Sequence, residues 1–196
     1  MAELEAEAFG PQGDASRHVD LETLEAGFRS LRESPRELGI LRLIVRRRAD
    51  GTRETPERVE LTVEQGVPDD GWSRRPPRDP EAQLAVMRGD VAELIANGQP
   101  LTVFGDNLFV DFDISAGNLP VGTRIHLGGS IVEVTPKPHN GCRKFKQRFG
   151  QDALRFVQAQ PTRSHNVRGI YWKVVRAGEI GVGGPIRVMS RPVTGE

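Results

Sequence analysis

The 196-residue chain has one cysteine, Cys142, in the run Pro136-Lys137-Pro138-His139-Asn140-Gly141-Cys142-Arg143-Lys144-Phe145. The prolines forbid continuous helix across this run, and Gly141 lets the backbone approach a neighbour closely. A cysteine attacks carbon or binds a soft metal as the thiolate, the form that nearby cations favour. Lys137, Arg143, Lys144 and Lys146 are the cations flanking this one. His139, three residues before Cys142, is a second group able to act as a base or as a metal ligand. Two readings of the pair stay open: nucleophile with base, or two ligands of one metal. A lone cysteine is most often an inert core residue, but the loop setting and the basic flank argue for chemistry here. A structural zinc site is not expected, because tetrahedral zinc wants four ligands and the histidines at 18, 126, 139 and 165 show no zinc spacing. Nor is there a P-loop or a GxGxxG fingerprint; Gly181-Val182-Gly183-Gly184 falls between predicted strands and reads as a turn.

The charge pattern points to the same stretch. Lys+Arg and Asp+Glu both number 27, a formal net charge of zero. Between Lys137 and Arg176, however, ten bases face the single acid Asp152, so this segment carries +9 and the remainder −9. It also interleaves Phe145, Phe149, Phe156, Tyr171 and Trp172. Such a stretch suits a solvated basic face, a nucleic acid, or a small phosphorylated cofactor, and charge alone does not choose among them. The first thirty residues, by contrast, hold seven acids and two bases.

The elements that position these residues follow from periodicity. Residues 1–19 are acidic, punctuated by glycine and proline, and read as a flexible tail. Leu21, Leu24, Phe28 and Leu31 recur on one helical face, with Asp20 as N-cap and Ser34-Pro35 as stop. Ile40–Arg47 and Arg58–Glu64 are rich in β-branched residues and flank the turn signal Ala49-Asp50-Gly51-Thr52, which predicts a strand pair. After a proline-rich loop, Asp79-Pro80 predicts a helix start, Leu84, Met87, Val91, Leu94 and Ile95 its apolar stripe, and Asn97-Gly98 its end. From Leu101 the period changes to two. Short strands are expected at 101–104, 108–112, 123–127, 130–135, 169–176 and 185–189, divided by glycine-rich turns. The expected fold is mainly β with flanking helices (α+β), a barrel or sandwich. Residues 20–79 form a helix, strand pair and loop integrated with a core at 80–196. No apolar run approaches the roughly 18 residues a membrane helix needs. Met1 to Asp20 lacks the pattern of a secretory signal, and one cysteine makes no internal disulfide, so the cytoplasm is the expected compartment.

Five ordered elements carry a family resemblance. Phe104-Gly105-Asp106-Asn107-Leu108 looks like a Gly-[Asp/Glu]-Asn-Leu element, and Leu119–Gly128 like a "vGtrl-x-iG" hairpin. Ile131–Pro136 followed by Cys142 matches the strand leading to a family cysteine. Phe145–Gly150 and Arg168-Gly169-Ile170-Tyr171 look like "rfG" and "RGiy" elements downstream. Together they resemble the MOSC family, the module at the C-terminus of molybdenum-cofactor sulfurases that also occurs as small stand-alone bacterial proteins. The resemblance spans about residues 80–190 and implies a MOSC-like β-barrel.

For chemistry, the resemblance implies a cysteine that ligates molybdenum or carries sulfur, within a site for the anionic pterin of the molybdenum cofactor (molybdopterin). By analogy with the amidoxime-reducing relatives, Cys142 is the metal ligand and His139 a neighbour or proton carrier, while Asn107, Arg143, Lys144, Arg148 and Arg168 surround the cofactor. The reaction class would be reduction of N-hydroxylated compounds with an external electron-donor protein. Alternatively, Cys142 carries a persulfide received from a sulfur-donor protein, or the basic stretch binds a polyanion without cysteine chemistry. Two elements depart from the family pattern. Pro68-Asp69-Asp70-Gly71-Trp72 stands where many members have Gly-Asp-Arg-[His/Trp], and the late "vGD" turn lacks its acid. Nothing resembles the pyridoxal-phosphate desulfurase domain of the long sulfurases, so desulfuration by this chain alone is not expected. Neither a membrane nor a nucleic acid is an expected partner.

Overall fold

The structure, a computed structural model, describes residues 10–192. The chain forms α1 (Leu21–Ser30), β1 (Leu38–Ile44), β2 (Arg46–Arg47), β3 (Arg53–Glu54), β4 (Arg58–Leu61) and α2 (Gly71–Arg74). It continues with β5 (Leu84–Arg88), α3 (Gly89–Ala96), β6 (Leu108–Asp111), β7 (Arg124–Leu127), β8 (Ser130–Val134) and α4 (Arg143–Gln158). Last come α5 (Gln160–Arg163), β9 (Ile170–Arg176), β10 (Gly178–Gly181) and β11 (Pro185–Ser190).

Seven strands close a barrel in the order β1-β11-β7-β8-β9-β5-β6. Its neighbours run antiparallel except β5 and β6, which are parallel and joined through α3, the crossover a parallel pair requires. The expected β-barrel with flanking helices is the fold observed. One core fills the barrel interior, with Leu84, Val86, Val110, Ile125, Val132 and Trp172 among its residues. A second lies between the barrel's outer face and the helices, and includes Leu24, Met87, Val91, Phe104, Phe149 and Phe156.

Several local signals work as expected. The Asp20 carboxylate accepts from Thr23 N at 2.8 Å and starts α1, the usual role of an N-cap side chain. Asn97, in the left-handed region at φ 47°, ends α3.

Other elements differ from expectation. Leu84–Arg88, expected as the first half of a helix, is the strand β5. It lies between β9 and β6, and its first four residues are buried. Leu84 and Val86 face the barrel interior while Met87 faces the helical layer. A strand buried on both faces shows no polar alternation, so Leu84 and Met87 imitate helical spacing. Residues 101–103, expected as strand, form a short 3-10 turn. Arg58–Leu61 does not pair with the strand before it but with β10, an element not foreseen. The pairing across the 49–52 turn is the short β2–β3 hairpin instead. The helix α4 was likewise not foreseen. It is broken at Gly150 (φ 93°), where a Cβ would come within 2.9 Å of the His18 ring.

Residues 1–9 of the expected tail lie outside the described residues. Residues 10–19, also expected to be mobile, are instead a strap docked on the domain. Arg148 Nε donates to Pro11 O (3.1 Å), Asp14 N to Gln99 Oε1 (2.8 Å) and Asn97 Nδ2 to Arg17 O (3.1 Å). Among the described residues no helix is long and apolar enough to cross a membrane.

Candidate functional site

The loop that leaves β8 at Val134 delivers His139, then Cys142, to the start of α4. Cys142 is the N-cap residue of that helix and is solvent-exposed. Free N–H groups at a helix start favour anions. The cysteine opens onto a cleft of about 230 Å³ lined by Arg47, Arg53, Arg75, Lys144, Arg148, Arg168, His139, Phe145 and Tyr171, among others. The named residues come from five regions: the β2–β3 hairpin, the loop after α2, the loop between β8 and α4, α4 itself, and the segment entering β9.

Buried carboxylates hold Arg168 and Arg47. Arg168 Nη1 donates to both carboxylate oxygens of Asp106, at 2.9 and 3.0 Å, and its guanidinium carbon lies 4.9 Å from the centroid of the Phe145 ring. Arg47 is clamped by Asp70 through its backbone N (2.7 Å) and its Nε (3.0 Å), and its Nη1 donates to Gly105 O (2.9 Å). Burial pulls Arg47 down, yet the Asp70 carboxylate outweighs it and holds this group above the ordinary arginine value. Burial would raise Asp70, but hydrogen bonds and charge from Arg47 bring it to about 2.

The other cations of the cleft are held differently. Arg53 is lowered to about 10, by burial first and then by the charges of Arg148 and Arg47. Arg148 and Lys144 are lowered too, burial leading in both; Arg168 adds to the effect on Arg148, and Arg148 and Arg75 to that on Lys144. His139 is buried with its ring 4.3 Å from that of Tyr171. Burial, reinforced by Arg168, lowers it to about 3, so the imidazole is neutral at neutral pH. Its Nδ1 is 3.6 Å from Asp106 Oδ1 and has no hydrogen-bond partner; nor do Arg168 Nε and Arg53 Nε.

Five residues singled out from the sequence meet here: Cys142, His139, Lys144, Arg148 and Arg168. Two do not. Arg143 is exposed and absent from the cleft wall. Asn107 is buried and bonded to the backbone, its Oδ1 accepting from Ala85 N (3.2 Å) and its Nδ2 donating to Val45 O (3.3 Å), so it ties β5 to β1. The acid beside it, Asp106, is the one that reaches the site. Arg47, Arg53, Arg75, Asp70 and Tyr171 were missed. Arg47 lies in the basic run Arg46-Arg47-Arg48, far from Cys142 in sequence, and Asp70 and Tyr171 lie in elements quoted for the family pattern without being assigned to the site.

The family model of the MOSC domain matches residues 79–187, more than half of the chain. The chain belongs to the MOSC domain family. Among solved structures it is similar to the YuaD protein from Bacillus subtilis, at 15% identity and a TM-score of 0.60, covering 82% of this chain and 100% of that one. It is also similar to YiiM from Escherichia coli, at 19% identity and a TM-score of 0.51, covering 78% of this chain and 71% of that one. At these identities the likeness shows the fold. No curated protein sequence matches.

The family is linked to the molybdenum cofactor, an anionic pterin chelate of a soft metal. The residues present fit such a group. Arg53, Lys144 and Arg148 are cations lowered by burial and by neighbouring cations, a penalty that an anion relieves. Buried N–H and ring nitrogen atoms of Arg53, Arg168 and His139 await partners. Among the described residues no group of three or more His, Cys, Asp or Glu is placed to hold a metal ion. A metal bound here must therefore bring most of its ligands with it, and the cleft adds a single thiol.

Proposed function

We propose that this chain binds the molybdenum cofactor, with Cys142 as the protein ligand to the metal and the arginine-rich wall holding the phosphate and pterin. The observation that carries this reading is the opening of the chain's one thiol onto a cleft walled by Arg47, Arg53, Arg75, Lys144, Arg148 and Arg168. Guanidinium forks suit phosphate oxygens, and a compact ammonium such as that of Lys144 adds charge without fixed geometry. Asp106 and Asp70 hold Arg168 and Arg47 in place, so these two orient a ligand rather than follow it. Neutral His139 offers a hydrogen bond beside the thiol without adding charge. Phe145, Phe149 and Tyr171 form the apolar part of the wall and exclude water from it. The cofactor, when bound, supplies two-electron redox chemistry. The proposed activity is reduction of a small N-hydroxylated compound in the cytoplasm, with electrons from a donor protein.

Metal analysis of protein purified from a cofactor-producing host tests the reading. Near one equivalent of molybdenum is expected in the wild type and a large loss in Cys142→Ala. Molybdenum far below one equivalent, unchanged by that substitution, would sink it.

A second reading, sulfur carriage on a Cys142 persulfide, is favoured by the exposure of the thiol at the cleft mouth, where a partner protein can reach it. Intact-mass measurement after incubation with a desulfurase and cysteine decides it. The adduct should be one sulfur atom on Cys142, and an unmodified thiol counts against carriage.

A further inference from the structure

A second hollow, of about 200 Å³, lies beside the segment that runs from β8 toward Cys142. That segment forms one wall, the loop before β7 a second, and the end of α4 with α5 and the entry to β9 a third. His139 and Arg168 line both this hollow and the Cys142 cleft, so these two side chains stand between them. Val121, Asn140 and Arg163 border the hollow and not the cleft.

The hollow differs from the cleft in chemistry. Leu119, Val134, Val157, Val167 and Ile170 line it and are buried, whereas Val121 is 54% exposed, apolar surface that a ligand here would cover. His139 is the one aromatic ring among the described lining residues, so the wall favours a flexible chain over a flat ligand. Most of its polar groups are committed. Lys137 is paired with Asp79 and Arg168 with Asp106. Thr135 Oγ1 donates to Glu81 O (2.6 Å), Asn166 Nδ2 to Ile114 O (2.8 Å) and Gln158 Nε2 to Gly141 O (3.4 Å). Two exposed side chains remain. Among the described residues, those of Arg163 and Asn140 make no hydrogen bond or ion pair. No Asp or Glu is among the described residues of the lining. A guanidinium fork and an amide donor without a competing acid suit a carboxylate, and the aliphatic wall suits a hydrocarbon chain.

We propose that this hollow is a second ligand site, and that it takes a short-chain aliphatic carboxylate such as hexanoate. The chain lies along Leu119, Val121 and Val157, and the carboxylate meets Arg163 and Asn140. Asn140 is two residues before Cys142, so the ligand touches the segment that positions the thiol. The site does not rest on the cofactor reading, because Val121, Asn140 and Arg163 take no part in the Cys142 cleft.

Nuclear magnetic resonance of the full chain, with labelled valine, leucine and isoleucine methyl groups, tests it. Hexanoate and its neutral counterpart hexanamide are titrated at constant ionic strength. Saturable shifts are expected at Val121, Val157 and Ile170, with hexanamide several-fold weaker. From butyrate to hexanoate the affinity should rise by up to about fourfold per methylene, the scale of one buried CH₂. Arg163→Gln should weaken hexanoate several-fold and leave hexanamide unchanged, while Arg53→Gln, in the Cys142 cleft, should leave hexanoate unchanged. No saturable shift at these methyls, equal affinity for hexanamide, an affinity that does not rise with chain length, or a loss in Arg53→Gln without one in Arg163→Gln overturns the site. If Arg163→Gln unfolds, the wild-type comparison of the two ligands and the positions of the shifted methyls still decide. Molybdenum without hexanoate binding defeats this proposal alone. Hexanoate binding without molybdenum defeats the cofactor reading and leaves the site standing.

Discussion

Asp106 and Arg168 form a doubly bonded ion pair in the floor of the cleft, 62 residues apart in sequence, with Nη1–O distances of 2.9 and 3.0 Å and side-chain exposures of 0% and 8%. The pair joins the loop before β6 to the start of β9 and sets the position of Arg168 beneath Phe145. It also lies beside His139, whose Nδ1 faces the same carboxylate.

Removing one partner from a buried pair leaves the other charge without compensation, which costs about 3–5 kcal/mol. Asp106→Asn keeps the shape and deletes the charge, so urea unfolding should show a loss of that order. Asp106→Asn combined with Arg168→Met should recover part of it. A loss below about 1 kcal/mol in the single variant would show that the pair does not hold the floor together.

His139 makes stability depend on mild acid. An unfolded histidine takes up its proton near pH 6.5, whereas in the folded chain burial and Arg168, only partly opposed by Asp106, delay uptake to about 3. Between these values the unfolded state binds more protons, so the stability this group contributes is present in full above pH 6.5 and falls as pH drops toward 3. The slope is at most about 1.4 kcal/mol per pH unit for one proton. Denaturant unfolding between pH 4.5 and 7 should show a slope that His139→Gln reduces. Parallel wild-type and variant profiles would contradict the burial of a neutral imidazole.

Much of the fold was legible where chemistry is local. Asp20 caps a helix whether or not the rest of the chain is known, and Asn97-Gly98 ends one for the same reason. Gly128-Gly129 turns β7 into β8 because the turn runs against the backbone of Glu179, where a Cβ on either glycine would crowd the carbonyl. Strand β5 was illegible because burial on both faces erases alternation. The site divided along the same line. Cys142, His139 and Arg148 lie close together in sequence and were found together, whereas Arg47 and Arg53 sit on a separate two-stranded hairpin that only the tertiary fold brings to the cleft, which no local pattern encodes. Asn107 was chosen over Asp106 by motif, although the backbone of β5 and β1 claims the amide side chain.

The strap tolerates no side chain at Gly13. A Cβ there would sit 2.1 Å from Arg148 O and 2.4 Å from Arg148 Cα, and backbone atoms do not yield as a side-chain end would. Gly13→Ala should therefore lift residues 10–14 from α4, at a cost of about 1–3 kcal/mol. Arg148 would lose its bond to Pro11 O. Limited proteolysis should cut the variant near this segment faster than the wild type, and unchanged cleavage would show the strap to be loosely held already.

Arg53 separates binding from stability. Its guanidinium donates to Gly51 O and Thr52 O at 3.0 and 3.1 Å, yet stands among Arg148 and Arg47 and is lowered to about 10, burial contributing most. In Arg53→Gln the lost bonds and the relieved repulsion oppose each other, so the thermal midpoint should move little, by less than about 1 kcal/mol in stability terms. An anion in the cleft meets the full charge of the wild type. Pyrophosphate should therefore bind the variant roughly tenfold more weakly, the scale of one charge-assisted hydrogen bond. The wild-type affinity should fall as salt rises, and the variant's should fall less steeply. Calorimetry at two salt concentrations checks both statements. Equal affinities would mean that Arg53 faces the cleft without serving it.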